Sequence, residues 1–218
     1  MKKKATLIGA TGLIGGHLLN LLIDDETFES IKIIVRRPIQ ITHPKIKIEI
    51  IDFDDQTQFS NAVKDSEIIF CAIGTTQKKV KGDLKAYRKV DFDIPIHAAQ
   101  YGLQEGMQQF LLVSSIGANS KKENFYLKLK GEVEDALIAQ NIPSLSIFRP
   151  SLLLGKRNEK RTVENIGQFF GKFLKVISPK KYKPIEAKNV AKAMVEAAKL
   201  NQKGKHIFEY EEMKNLIK

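Results

Sequence analysis

One stretch near the start, Ala5-Thr6-Leu7-Ile8-Gly9-Ala10-Thr11-Gly12-Leu13-Ile14-Gly15-Gly16, restricts the fold more than any other part of the chain. A short apolar run ends in three glycines spaced G-x-x-G-x-x-G, and an amphipathic run over 17–23 follows at once. The order reads as strand, tight turn, helix. Gly9 lets the backbone turn sharply out of the strand. Gly12, without a Cβ, lets a pyrophosphate approach the main chain, and Gly15 lets the helix pack on the sheet. Amide N–H groups at the helix start then face an anion that the helix dipole favours. The spacing differs from the G-x-G-x-x-G of the standard dinucleotide fingerprint. A purely structural turn is the alternative reading, and the place directly after an apolar strand favours the nucleotide site.

Downstream, strand-like and helix-like runs alternate. Residues 31–35, 46–51, 67–73, 109–113, 144–148 and 206–210 read as strands. Residues 56–64, 84–101, 125–140 and 163–177 read as helices, and Asn189 is placed to cap another over 190–200. Pro95 falls inside 84–101, where a proline costs about 3 kcal/mol unless it sits in a first turn, so a break is expected near 91–93. There is no repeat and no linker. This is the pattern of an α/β chain whose parallel sheet is covered on both faces. One domain over 1–218 is expected, with residues 151–218 contributing most of a small substrate or cap region at the sheet's carboxyl edge, where ligands bind in such folds.

Composition narrows the partners. The 36 Lys+Arg against 25 Asp+Glu give a net charge of +11, which favours anionic ligands. The lysines are scattered in short clusters (Lys2 to Lys4, Lys78-Lys79, Lys180-Lys181) and no aromatic residues interleave a basic stripe, so nucleic acid is not expected. Three lysines before an apolar stretch imitate a signal peptide, but the glycine motif interrupts the stretch and no small-x-small cleavage site is evident. No apolar run is long enough to span a bilayer, so no membrane is expected. Cys71 is the single cysteine, which excludes an intrachain disulfide and fits a reducing cytoplasmic setting; it reads as a buried small hydrophobe. No metal-ligand set is expected, and a homodimer is left open.

Several positions carry candidate chemistry. The second strand ends in Arg36-Arg37-Pro38. An acid there would accept from a ribose 2′-hydroxyl and repel a 2′-phosphate, whereas two guanidinium forks suit the phosphate and point to NADP(H) ahead of NAD(H). An exposed basic turn is the alternative. Asp52 and Phe53, after the third strand, are placed near an adenine ring. Gly74-Thr75-Thr76, after the fourth, is suited to lie along a cofactor, or is an ordinary loop. Tyr126 and Lys130 lie four apart, on one face of a helix. A lysine cation beside a phenol favours the phenolate, so the pair can exchange a proton with a carbonyl oxygen that receives hydride. Ser115, at the end of the fifth strand, could orient that oxygen. The alternative is a surface tyrosine over a lysine stem.

Gly9-Ala10-Thr11-Gly12-Leu13-Ile14-Gly15, Val113-Ser114-Ser115-Ile116-Gly117-Ala118, Tyr126-x-x-x-Lys130-Gly131-Glu132-Val133-Glu134 and Phe148-Arg149-Pro150-Ser151, in this order, resemble the extended and atypical short-chain dehydrogenase/reductases. The likeness covers nearly the whole chain. It is greatest to the NAD(P)-binding branch with the Tat-interacting-protein-like oxidoreductases, and more remote to NmrA-like proteins. The resemblance implies a Rossmann-type, doubly wound sheet that binds NADP(H). It implies that Gly9, Thr11, Gly12, Leu13 and Ile14 hold the pyrophosphate and that Arg36 and Arg37 take the 2′-phosphate. Asp52, Ala72, Gly74 and Thr75 would follow along the cofactor. Ser115 would be the active serine, with Ser114 second, and Tyr126 the proton donor. Lys130 would also hold the nicotinamide ribose, while the Pro150-Ser151 backbone borders the nicotinamide. Arg149 is more often structural.

Two functions fit. One is an NADPH-dependent reductase of a small carbonyl compound, with Arg157 and Arg161 available to an acidic substrate. The other is a non-catalytic NADP(H)-binding redox sensor or regulator. The intact Ser115–Tyr126–Lys130 set favours the reductase.

Overall fold

The computed structural model describes residues 2–155 and 182–218. The expected helix over 163–177, with Arg157 and Arg161, lies outside them. The chain runs β1 (Lys3–Ile8), α1 (Leu13–Asp24), β2 (Phe28–Val35), β3 (Ile46–Ile50), α2 (Gln56–Val63), β4 (Ile68–Cys71) and α3 (Leu84–Arg88). A π-helical turn (Lys89–Asp93) leads into α4 (Ile94–Gln104), β5 (Gln109–Val113), α5 (Phe125–Ala139), β6 (Ser144–Phe148), β7 (Leu153–Leu154), β8 (Ile185–Glu186), α6 (Ala187–Leu200), β9 (Gly204–Phe208) and α7 (Tyr210–Leu216).

Seven strands form one parallel sheet in the order β3-β2-β1-β4-β5-β6-β9. Leu7 lies opposite Ile33 on one side and Phe70 on the other. Because side chains alternate along each strand, the inner strands feed two cores, while the edge strand β3 gives Ile46 and Ile48 to one of them. Leu7, Ile33, Phe70 and Leu111 pack with Leu18 and Leu22 of α1 and with Val190 and Met194 of α6. Ile8, Ile34, Ile69 and Leu112 pack on the other face with Phe59 of α2, Ala98 of α4 and Val133 of α5. Each fully buried aliphatic chain of this kind stabilises the fold by roughly 1.5–3 kcal/mol. This is the Rossmann-type α/β fold that the resemblance implied. The winding reverses between β1 and β4, which opens the crevice where such folds bind ligands.

The structure differs from the sequence reading in four places. The expected break in 84–101 is a π-helical turn that keeps the chain helical, and Pro95, at the start of α4, follows that wider turn, which accommodates a residue without an N–H. The helix expected to be capped by Asn189 begins earlier, at Ala187, with Glu186 in the capping position and no side-chain cap. The last strand ends at Phe208, because Glu209 and Glu212 form a reciprocal capping box that starts α7 at Tyr210. Finally, α6 and β9 are not part of a cap over the sheet. They are its seventh strand and a core layer, since alanines and Met194 of α6 are buried against α1.

Candidate functional site

The carboxyl end of β1 is shaped by missing side chains. Gly9 has φ +96°, and a Cβ on it would lie 2.6 Å from the Ala72 carbonyl carbon and oxygen. A Cβ on Gly15 would lie 2.0 Å from the Gly9 carbonyl oxygen, so α1 can approach the turn only because that position is bare. The Gly12 amide donates to the Gly9 oxygen at 2.9 Å and closes the turn. Gly12 is the N-cap of α1, yet no side chain caps the helix and no acid lies in its first turn. The first amides therefore have neither an intrahelical nor a side-chain acceptor. Thr11 and Gly12 are exposed, Leu13 is half-buried and Ile14 belongs to the core. The cradle fits a dinucleotide pyrophosphate.

Around it, Arg36 and Arg37 leave the end of β2 exposed. Neither has an ion-pair partner among the described residues. The exposed Asp52 is set in its own turn, its carboxylate accepting from the Asp54 amide at 3.0 Å. The Ala72 amide donates to the Ile8 carbonyl, tying β4 to β1 beside Gly9. Cys71, fully buried just before it, has its thiol pushed up to about 12 by burial.

The second half of the site is built by charge. Tyr126 and Lys130 lie on the first turns of α5, whose start is capped by Asn124 accepting from the Leu127 amide at 3.1 Å. The Lys130 ammonium is 6.0 Å from the centre of the Tyr126 ring. It also pairs at 3.0 Å with Asp91, which stands in the π-helical turn, and only 6% and 1% of the two side chains is exposed. The other Asp91 oxygen accepts from the Thr75 amide at 2.7 Å, so one carboxylate joins the loop after β4 to Lys130. Burial alone would push the Lys130 ammonium down. The Asp91 carboxylate, with Tyr126 and Tyr87 behind it, outweighs burial and holds it above the ordinary lysine value. Sequence reading missed Asp91. Its one local signal was an acid at the expected helix break, and only the fold carries it to Lys130.

Ser115 is buried at the end of β5, its hydroxyl donating to the Ile116 carbonyl at 3.4 Å. Its loop is pressed onto α5. A Cβ on Gly131 would lie 2.1 Å from the Ser120 nitrogen, and the Asn119 amide donates to the Leu127 carbonyl. The Ile116 amide donates to the Pro150 carbonyl at 3.0 Å, which joins the same loop to the end of β6. The Ser114 side chain has a different use. Its hydroxyl donates to buried Glu134 at 2.5 Å, and Glu134 also accepts from Arg149 at 2.5–3.2 Å. Glu134 holds the Arg149 guanidinium above its ordinary value. This network locks α5 to the ends of β5 and β6, and leaves Ser114 only its backbone to offer a ligand.

A family model described as NAD(P)H-binding matches residues 9–201. The chain belongs to this NAD(P)H-binding family, and its cofactor is a nicotinamide dinucleotide. It is 33% identical over 201 residues to "Protein FMP52, mitochondrial" of Debaryomyces hansenii, covering 89% of this chain and 87% of the relative. It is 31% identical over 173 residues to "Protein HTATIP2" of Rattus norvegicus, covering 78% and 71%. Among solved structures, MoeE5 in complex with UDP-glucose and NAD superposes with a TM-score of 0.72 at 13% identity, covering 96% of this chain and 79% of that one. The Bordetella bronchiseptica enzyme WbmH in complex with NAD+ gives 0.72 at 17%, covering 95% and 75%. These two show the shared fold. The resemblance to the NAD(P)-binding branch with the Tat-interacting-protein-like oxidoreductases is thus borne out. The cytoplasmic expectation is overturned, because fungal relatives are named as mitochondrial proteins. A lone buried cysteine reports on disulfides and not on compartment.

Proposed function

We propose that the protein is an NADP(H)-dependent oxidoreductase of the short-chain type that reduces a small carbonyl compound, with Tyr126 as general acid. The carrying observation is that Tyr126 and Lys130 share one face of α5 while backbone contact at Gly131 holds the Ser115 loop against that helix. Gly9, Thr11, Gly12, Leu13 and Ile14 would hold the pyrophosphate. Arg36 and Arg37, without an ion-pair partner among the described residues, would take the 2′-phosphate, which is the reason to place NADP(H) ahead of NAD(H). Asp52 would border the adenine, Ala72, Gly74 and Thr75 the middle of the cofactor, and the Ser114 and Pro150 backbone the nicotinamide. A bound reduced nicotinamide supplies hydride. Ser115 orients the substrate oxygen by a hydrogen bond. Tyr126 gives its hydroxyl proton to that oxygen as the carbonyl becomes an alcohol, and water returns the proton. Lys130 supports Tyr126 and binds the nicotinamide ribose.

One observation favours a second reading, a non-catalytic NADP(H)-binding regulator. Asp91 already compensates the charge of Lys130, which weakens its hold on the phenol. The test is NADPH oxidation across a panel of aldehydes and ketones, comparing wild type with Tyr126→Phe. The reductase reading expects turnover that falls about 100-fold or more in the variant, with NADPH affinity kept. NADPH binding without reduction of any carbonyl, and no effect of the variant, would leave the regulator.

A further inference from the structure

Two segments near the start of α5 carry more cations than acids. One is the segment 77–85, between β4 and the first residues of α3. The other is 119–128, from the Ser115 loop into α5. Their net charges are +3 and +2 of the chain's +11. The structure fastens the flanks of both to the same part of the fold. The Tyr87 ring meets the Phe125 ring edge-on at 5.5 Å, the Tyr87 hydroxyl donates to the Thr75 carbonyl at 3.2 Å, and the Asn119–Ser120 backbone lies on Gly131.

Lys78, Lys81, Lys85, Lys121 and Lys122 are all exposed, and none has a carboxylate partner among the described residues. The neighbouring cations behave differently. Arg88 holds Glu132, Lys89 holds Asp54, Lys130 holds Asp91 and Arg149 holds Glu134. Of the two acids within the segments, Asp83 is spent on the α3 cap, where it accepts from the Lys85 and Ala86 amides. The interior of the site is therefore compensated while its rim is not. A neutral carbonyl compound has no use for such a rim. An anion gains from it in steering and in holding.

We infer that the substrate is an anionic carbonyl compound, an aldehyde or ketone bearing a carboxylate or phosphate, whose charged end is held by this lysine rim while its carbonyl faces Tyr126. The inference rests on the reductase reading and narrows it. Its test uses a matched pair, 4-carboxybenzaldehyde and its methyl ester, with the full chain and NADPH. The expected result is a kcat/KM at least about tenfold higher for the acid at low ionic strength. That ratio falls toward one in about 0.5 M salt. Changing Lys81→Gln and Lys122→Gln together lowers the acid's kcat/KM severalfold and leaves the ester's within twofold. Equal turnover of acid and ester, or a preference that neither salt nor the double variant moves, overturns the inference and leaves the reductase standing. If neither these compounds nor any carbonyl of the panel is reduced, the reductase reading falls. Calorimetric binding of the same pair to the NADPH-loaded protein then decides the rim: tighter binding of the acid, lost in the double variant, supports it, and equal affinities overturn it. Binding of the lysine rim to anionic phospholipid vesicles, with no preference between acid and ester, assigns the charge to a membrane surface and overturns it as well.

Discussion

The two halves of the site are made by opposite means. The glycine cradle at the end of β1 is an absence: three positions carry no side chain, and the backbone closes on itself through the Gly12 amide and Gly9 carbonyl. The Tyr126–Lys130 half is a construction of buried charge, in which Asp91 reaches from one helix to Lys130 on another, and Glu134 gathers Ser114 and Arg149. A site made of absences tolerates no added atom. A site made of ion pairs tolerates no lost partner.

The largest expected effects test the first half of that contrast. Gly15→Ala puts a methyl carbon 2.0 Å from a backbone oxygen that has no rotamer to escape into. Its cost should exceed the ~1–3 kcal/mol of ordinary overpacking, and NADPH binding should be lost with it. Gly131→Ala makes an equally close contact, 2.1 Å from the Ser120 nitrogen, but at the other half. It should displace the Ser115 loop, abolish turnover and leave NADPH affinity within a few-fold. Denaturant unfolding and calorimetry on the two variants check this. Similar losses of cofactor binding in both would mean that the halves are not separable.

Removing a partner comes next. Asp91→Ala leaves the Lys130 ammonium buried without its counter-charge, and breaking a buried pair from one side costs ~3–5 kcal/mol. The pH dependence has a definite sign. Because Lys130 is held above its ordinary value, the pair's contribution is complete below about pH 10.4 and is lost as pH rises through the folded-state value. With Asp91→Asn the unpaired lysine can shed its proton in alkali, so the penalty against wild type is largest at neutral pH and narrows toward pH 10. A penalty constant over that range would show that Asp91 serves by shape and not by charge.

The same contrast explains what could be read without coordinates. The cradle was legible because its cause is local: three glycines within seven residues, directly after an apolar strand, need no distant partner to be recognised. The alternating strands located the sheet for the same reason, since a side chain's face follows from its own parity along the strand. Asp91 was illegible because nothing around it in sequence names Lys130, and the π-helical turn that aims it appeared only as a break. Ser114 was misjudged in part, since two adjacent serines look alike until Glu134 claims one of them. The cap expected from the last third failed at α6, whose Val190 and Met194 carry a core-facing stripe that does not say which sheet it covers.

A smaller effect separates the cofactors. Arg36 is exposed, so whatever it gives to a 2′-phosphate is screened by water and salt. Arg36→Ala should weaken NADPH by about tenfold and change NADH by less than twofold, measured by titration at fixed ionic strength. Equal losses for both would remove the phosphate role and return the two arginines to a basic turn.

The smallest effect decides where Ser114 belongs. Its hydroxyl is one of several donors to Glu134, and Arg149 still holds that carboxylate through two nitrogens when the hydroxyl is gone. Ser114→Ala should therefore cost only ~0.5–1.5 kcal/mol, seen as a modest fall in Tm. Since the hydroxyl is turned to Glu134, NADPH affinity and kcat should stay as in wild type. Ser115→Ala, one residue on, should leave Tm nearly unchanged and lower kcat, because its hydroxyl makes only a 3.4 Å contact with the neighbouring carbonyl and can turn to a substrate. If the two variants exchanged these signatures, the serine that serves the fold and the serine that serves the chemistry would have to be exchanged as well.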